Sequence, residues 1–147
     1  MIFLIKKGII KGGIKLNTTL DKQTVRIFLR ICHKEILKGN CHFINRNLNI
    51  NGRIINSKQA LLDIGILKKE TIWEHILSLT ENECIKIDFD YDKKRDSNTE
   101  IYVFKKIINR KDVYIKLTMR ESGVICISFH ESYKKESEKN ERKKILL

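Results

Sequence analysis

Apolar residues recur at two different periods in this chain, and the change between them constrains its fold more than any other feature. Between Asp21 and Lys38, Val25, Phe28, Leu29, Cys32 and Ile36 fall at spacings of three and four, the stripe of an amphipathic helix. Arg26, Arg30 and Lys34 take another side, and Gly39-Asn40 supplies a C-terminal stop. From Glu100 onward the period falls to two. Glu100–Ile108, Asp112–Met119 and Val124–His130 alternate as half-buried strands do, and the polar links Asn109-Arg110-Lys111 and Arg120-Glu121-Ser122-Gly123 suit hairpins. Helices followed by an antiparallel β-meander make an α+β fold.

Between these regions the signals are shorter. Cys41–Ile44 reads as a brief strand, and Leu48–Ile50, Asn51-Gly52 and Arg53–Ile55 read as a hairpin about an Asn-Gly turn. Ser57 is placed to cap a second helix through Leu62 that stops at Gly65, and a third runs from Lys68 to Leu77 with His75 off its apolar stripe. Thr80-x-x-Glu83 is a capping-box pattern, expected to open a further turn ending near Lys86. Residues 88–99, DFDYDKKRDSNT, are polar without period and predict a mobile loop. One domain over residues 19–133 is expected, with an uncertain leader over 1–18 and a charged tail over 134–147. Lys11-Gly12-Gly13 is encodable as a ribosome-binding sequence and Leu16 as a TTG start, so the natural chain is expected to begin near Leu16.

Lys and Arg number 30 against 18 Asp and Glu, a formal net charge of +12, and the excess is uneven. Residues 1–60 hold 12 basic and 2 acidic side chains, 81–100 hold 4 and 7, and 101–120 hold 6 and 1. A uniform drift toward lysine leaves no acidic segment between two basic ones, so a polyanionic partner is expected. No apolar run reaches the ~18–20 residues that cross a bilayer, and the opening MIFLIKKGII lacks a signal-peptide cleavage site. A cytoplasmic protein without membrane contact follows. Cys32, Cys41, Cys84 and Cys126 form no CxxC pair and read as small core residues of a reduced protein. In Cys32-His33 and Cys41-His42 the neighbours point different ways, so neither pair is a chelating arm; no metal or cofactor is expected.

Alternation also divides the last two strands. Val113, Ile115, Leu117 and Met119 should meet the helices, which sends Tyr114, Lys116 and Thr118 to the other side. In the final strand Ile125, Ile127 and Phe129 form the bulky set, with Cys126, Ser128 and His130 opposite. Tyr114, Lys116, Ser128 and His130 are then expected on one exposed face. A phenol, an ammonium and an imidazole suit RNA cleavage by the substrate's own 2′-hydroxyl. That reaction needs a base, an acid and positive charge at the phosphorane. Histidine is the side chain best matched to either proton transfer near neutral pH. The bland alternative for each residue is the solvent side of any half-buried sheet.

Val113-Tyr114-Ile115-Lys116-Leu117 followed by Val124–Glu131, VICISFHE, resembles the closing hairpin of the MqsR-like mRNA interferases, small toxins with a RelE-like fold. Ala60–Ile66, then Ile76–Thr80 with Glu83 and Lys86, then Ile101–Phe104 extend the likeness over about Asp21 to Glu131. The resemblance implies a RelE-like α+β fold and a metal-independent endoribonuclease cleaving mRNA. It also implies a type II toxin–antitoxin pair with a cognate antitoxin. The family's lysine after the helical segment falls on Lys86, its strand tyrosine on Tyr114, the neighbouring lysine on Lys116, and the basic residue after Ser-Phe on His130. The catalytic set is thus His130, Tyr114, Lys86 and Lys116, with Lys105, Arg120 and Ser128 as RNA contacts. Val103 stands where a polar residue is expected, and Lys105 on the same face is its substitute. The Asn-Gly hairpin and the charged tail lengthen this chain relative to the family pattern. A non-catalytic RNA- or protein-binding module on the same fold is the alternative.

Overall fold

The structure, a computed structural model, describes residues 20–90 and 99–132, with Asp90 and Thr99 by backbone alone. The expectations for 1–18, for 134–147 and for most of the polar loop lie outside the described residues. Helix α1 (Lys22–Leu37) buries Val25, Phe28, Leu29, Cys32 and Ile36, the stripe its spacing predicts. The Asp21 carboxylate caps it by accepting from the Gln23 amide at 3.0 Å. At the other end Gly39, at φ +87°, donates to Ile36 O while Asn40 donates to Glu35 O, both at 2.9 Å. This left-handed stop satisfies carbonyls the helix leaves open.

Strand β1 (Cys41–Phe43) is followed by the hairpin β2 (Asn47–Ile50) and β3 (Arg53–Asn56), whose turn residues Asn51 and Gly52 have φ of 53° and 87°. These are the positive values a two-residue primed turn needs. Helix α2 (Ser57–Asp63), a short 3₁₀ turn (Lys69–Thr71) and helix α3 (Ile72–Leu77) come next. Asn56, not Ser57, caps α2 through Lys58 N at 2.9 Å. Ser57 is instead buried, donating its hydroxyl to Arg46 O at 2.6 Å and so tying the base of the hairpin.

After the capping box at Thr80 and Glu83, the chain does not continue as a turn to Lys86. It enters strand β4 (Cys84–Asp90), which takes up Lys86 and the first part of the polar segment read as a loop. Ile85-Lys86-Ile87-Asp88-Phe89-Asp90 alternates at period two, and as a sheet edge it carries charge, which hides the pattern. Strands β5 (Thr99–Ile108), β6 (Lys111–Arg120) and β7 (Gly123–Glu131) complete a five-stranded sheet of order β1-β7-β6-β5-β4. The sheet is mixed rather than purely antiparallel, because β1 lies parallel to β7 with Cys41 opposite Val124. The α+β class stands.

One face of this sheet meets α1, α2 and α3 in a single core that includes Ile64, Ile72, Ile76, Phe104, Val113, Ile115, Leu117 and Phe129. Within it, Phe28 stacks on Tyr102 with ring centroids 3.7 Å apart. Cys32, Cys84 and Cys126 are buried there, and Cys41 is half-buried at its border. Burial raises the Cys32 thiol to about 12 and the Cys84 thiol to about 11, the inert state of a core cysteine. A smaller cluster of Leu48, Ile55 and Ala60, with Ile50 against it, anchors the hairpin on α2. Among the described residues no helix is long and apolar enough to cross a membrane.

Candidate active site

Strand pairing places side chains in rows across the face opposite the helices. Tyr114 stands opposite His130 on β7 and opposite Lys105 on β5. The next row runs Lys86, Val103, Lys116, Ser128, and beyond it Asp88 pairs with Ile101 and Thr118 with Ile125. Directly paired residues share a face and lie within side-chain reach. Tyr114 and His130 therefore meet, with ring centroids 5.9 Å apart and planes 30° from parallel. Lys116 Nζ lies 5.7 Å from the Tyr114 centroid, within cation–π range.

Alternation places Tyr114, Lys116, Ser128 and His130 on this face, but it does not hold along the whole of β7. Between Lys116 and Leu117 the β6–β7 register slips: Lys116 pairs with Ser128 but Leu117 pairs with Cys126, so Ile127 is an extra residue on β7. The bulge flips everything before it. Cys126, expected beside Ser128 and His130, is instead in the core with Leu117, and Ile125 takes the cleft side opposite Thr118. Both halves of β7 keep their apolar residues buried because the strand changes phase once.

Ser128 is correspondingly not an open hydroxyl. It is 3% exposed and accepts a hydrogen bond from Arg46 Nη2 at 2.9 Å, while Arg46 Nε donates to the Ile127 carbonyl at 3.3 Å. Arg46 thus clamps the bulge and sets its charge beside the row. Sequence reasoning missed it, since nothing in the stretch between β1 and the hairpin marks that arginine. Arg46, the β2 residues Leu48, Asn49 and Ile50, Asn51 of the turn, and Tyr114, Lys116, Ser128 and His130 enclose a cleft of about 540 Å³. That size is in the range of small-ligand sites.

The remaining expected residues scatter in different ways. Lys105 borders Tyr114 from β5. Lys86 is exposed at the β4 edge, its Nζ 3.4 Å from Asp88 Oδ2, outside the cleft but felt within it. Arg120 shares the face but sits six residues from Tyr114 along β6, about 20 Å at the rise of an extended strand. It does not join the others. Val103 is 0% exposed between Lys86 and Lys116, an apolar floor where a polar group was expected.

Electrostatics in the cleft lower the pKa of both His130 and Lys116. Burial lowers the His130 pKa below its ordinary 6.5; the hydrogen bond to Glu131 O opposes this, and the Lys116 and Arg46 charges reinforce it. His130 Nδ1 lies 2.8 Å from that carbonyl oxygen. A carbonyl can only accept, so Nδ1 carries the hydrogen and the neutral ring keeps its lone pair on Nε2. Burial likewise lowers Lys116, helped by Lys86 and Arg46 and opposed by Asp88. The arrangement can take a proton at Nε2 and offset negative charge with Lys116, Arg46 and, from the edge, Lys86. Comparison with protein-family models, with curated proteins and with solved structures finds no match to this chain.

Proposed function

We propose that this chain is a metal-independent endoribonuclease that cleaves mRNA through attack by the 2′-hydroxyl, and that it acts as the toxin of a type II toxin–antitoxin pair. The reading rests on the resemblance described above. The single observation that carries its chemistry is the in-register pairing of Tyr114 with His130 beside Lys116 in an open cleft. In the proposed step His130 Nε2 takes the 2′ proton, O2′ bonds to phosphorus, and the bond to O5′ breaks. The leaving O5′ takes the phenolic proton of Tyr114, the proton held by His130 restores the phenol, and the products are a 2′,3′-cyclic phosphate and a 5′-hydroxyl end. Lys116 and Arg46 offset the charge that builds on the phosphorane, with Lys86 contributing from the edge. Lys105 contacts phosphate beside Tyr114, Arg120 only a distant stretch of the strand, and Ser128 acts through Arg46.

The same reading makes the protein cytoplasmic, its basic face restrained by a cognate antitoxin. Induction of the native chain should arrest growth and fragment mRNA, with cyclic-phosphate ends, and EDTA should leave purified activity unchanged. Growth arrest that persists in His130→Ala and Tyr114→Ala, or RNA binding without cleavage, would instead support a non-catalytic binding module.

A further inference from the structure

The cleft has two unlike walls. Leu48, Asn49, Ile50 and Asn51 line it consecutively, yet no residue of β3 does. A sheet face would contribute alternate residues from both strands, so it is the edge of β2 that looks into the cleft. The two-residue turn makes Ile50 and Arg53 a hydrogen-bonded pair, and antiparallel alternation then makes Asn49 and Ile54 a non-bonded one. The N–H and C=O of Asn49 therefore point away from β3, along the open edge. The Asn49 side chain is also oriented, its Oδ1 accepting from Gly52 N at 3.1 Å, which leaves the Nδ2 hydrogens to donate elsewhere.

We infer that the open edge of β2 reads one base of single-stranded RNA, with Asn49 supplying a donor and an acceptor to the base edge. This deepens the endoribonuclease reading and rests on the cleft being an RNA site. Three observations favour RNA over an added peptide strand. The tilted Tyr114 and His130 rings stand in the same cleft, where a base can stack. Arg46 and Lys116 place positive charge there for the adjoining phosphates. At four residues, β2 offers little length for strand addition. The hairpin is held by its own apolar cluster and by Ser57, a firm support for a reading edge.

The test uses the full chain and 2′-O-methyl RNA heptamers, which lack the attacking hydroxyl. The probes are homopolymers of A, C and U, and a U heptamer with a central G, measured by fluorescence anisotropy at one salt concentration. Asn49→Pro removes the cleft-facing N–H without touching the hairpin ladder, and Asn49→Ala removes the side-chain amide alone. Wild type should prefer one probe, and Asn49→Pro should flatten that preference by on the order of tenfold, beyond any loss in Asn49→Ala. Circular dichroism confirms that both variants fold. Equal binding of all probes by wild type, or undiminished preference in Asn49→Pro, overturns the proposal. So does loss in Asn49→Pro of binding to an extended acidic peptide with oligonucleotide preference unchanged. Base preference in a chain that never cleaves upholds the reading edge while overturning the endoribonuclease.

Discussion

Phe129 and His130 are adjacent on β7 and live in different environments. Phe129 is 1% exposed in the helix-covered core, whereas His130 sits half-buried in the cleft opposite Tyr114. The same strand therefore packs into the core on one side and, in the proposed function, carries chemistry on the other. On the core side any apolar group of matching volume serves. On the cleft side what matters is which polar atom lies where, and that depends on a bulge, a hairpin and one arginine from outside the sheet.

Substituting the two neighbours separates the sides most sharply. Phe129→Ala should destabilise the fold by about 3–5 kcal/mol in urea unfolding, through lost burial and the cavity left behind. His130→Ala should leave the unfolding midpoint nearly unchanged while cleavage falls by about 10²–10⁴. If His130→Ala unfolds the protein as readily as Phe129→Ala, the two sides are not distinct.

Arg46 belongs to both sides, so its loss should show in both measurements. Arg46→Met removes the hydrogen bonds to Ser128 and the Ile127 carbonyl and also removes positive charge beside His130 and Lys116. Cleavage should fall on the order of tenfold, with a loss of about 1–3 kcal/mol in stability. A variant with full activity would remove Arg46 from the site.

The smallest effect is in pH. His130 is lowered in the folded protein, so between that value and its ordinary 6.5 the unfolded chain binds more protons. Folding stability from this group is present above 6.5 and is lost as pH falls through the folded value. The acidic limb of kcat/KM should accordingly inflect below 6.5, because the base stays neutral there. On the alkaline side, Asp88→Asn removes the carboxylate that helps Lys116 keep its proton, so any limb due to Lys116 should move to lower pH. An acidic limb above 6.5 would contradict the burial of His130.

The parts legible in the sequence were those governed by local period and turn chemistry. The α1 stripe, the Gly39 stop, the Asn51-Gly52 hairpin and the buried row Val113, Ile115, Leu117 all follow from side-chain spacing and backbone preference. Two departures from the expected pattern have different causes. Strand β4 carries Lys86 and Asp88 on a sheet edge, where charge disguises alternation, whereas the phase of β7 reverses at Ile127 through a bulge that no residue type marks. Alternation nevertheless places Tyr114 and His130 on one face, since both lie on the same side of the bulge.

Hydrophobic period was enough to make this chain α+β and to bury one side of its strands, because burial energy depends on how much apolar surface each position contributes rather than on its distant neighbours. It could not set β1 parallel beside β7, nor bring Arg46 onto Ser128 across 82 positions of chain, nor turn the edge of β2 toward Tyr114. Those depend on backbone hydrogen bonding and contacts between remote segments, which exist only once the chain has closed on itself.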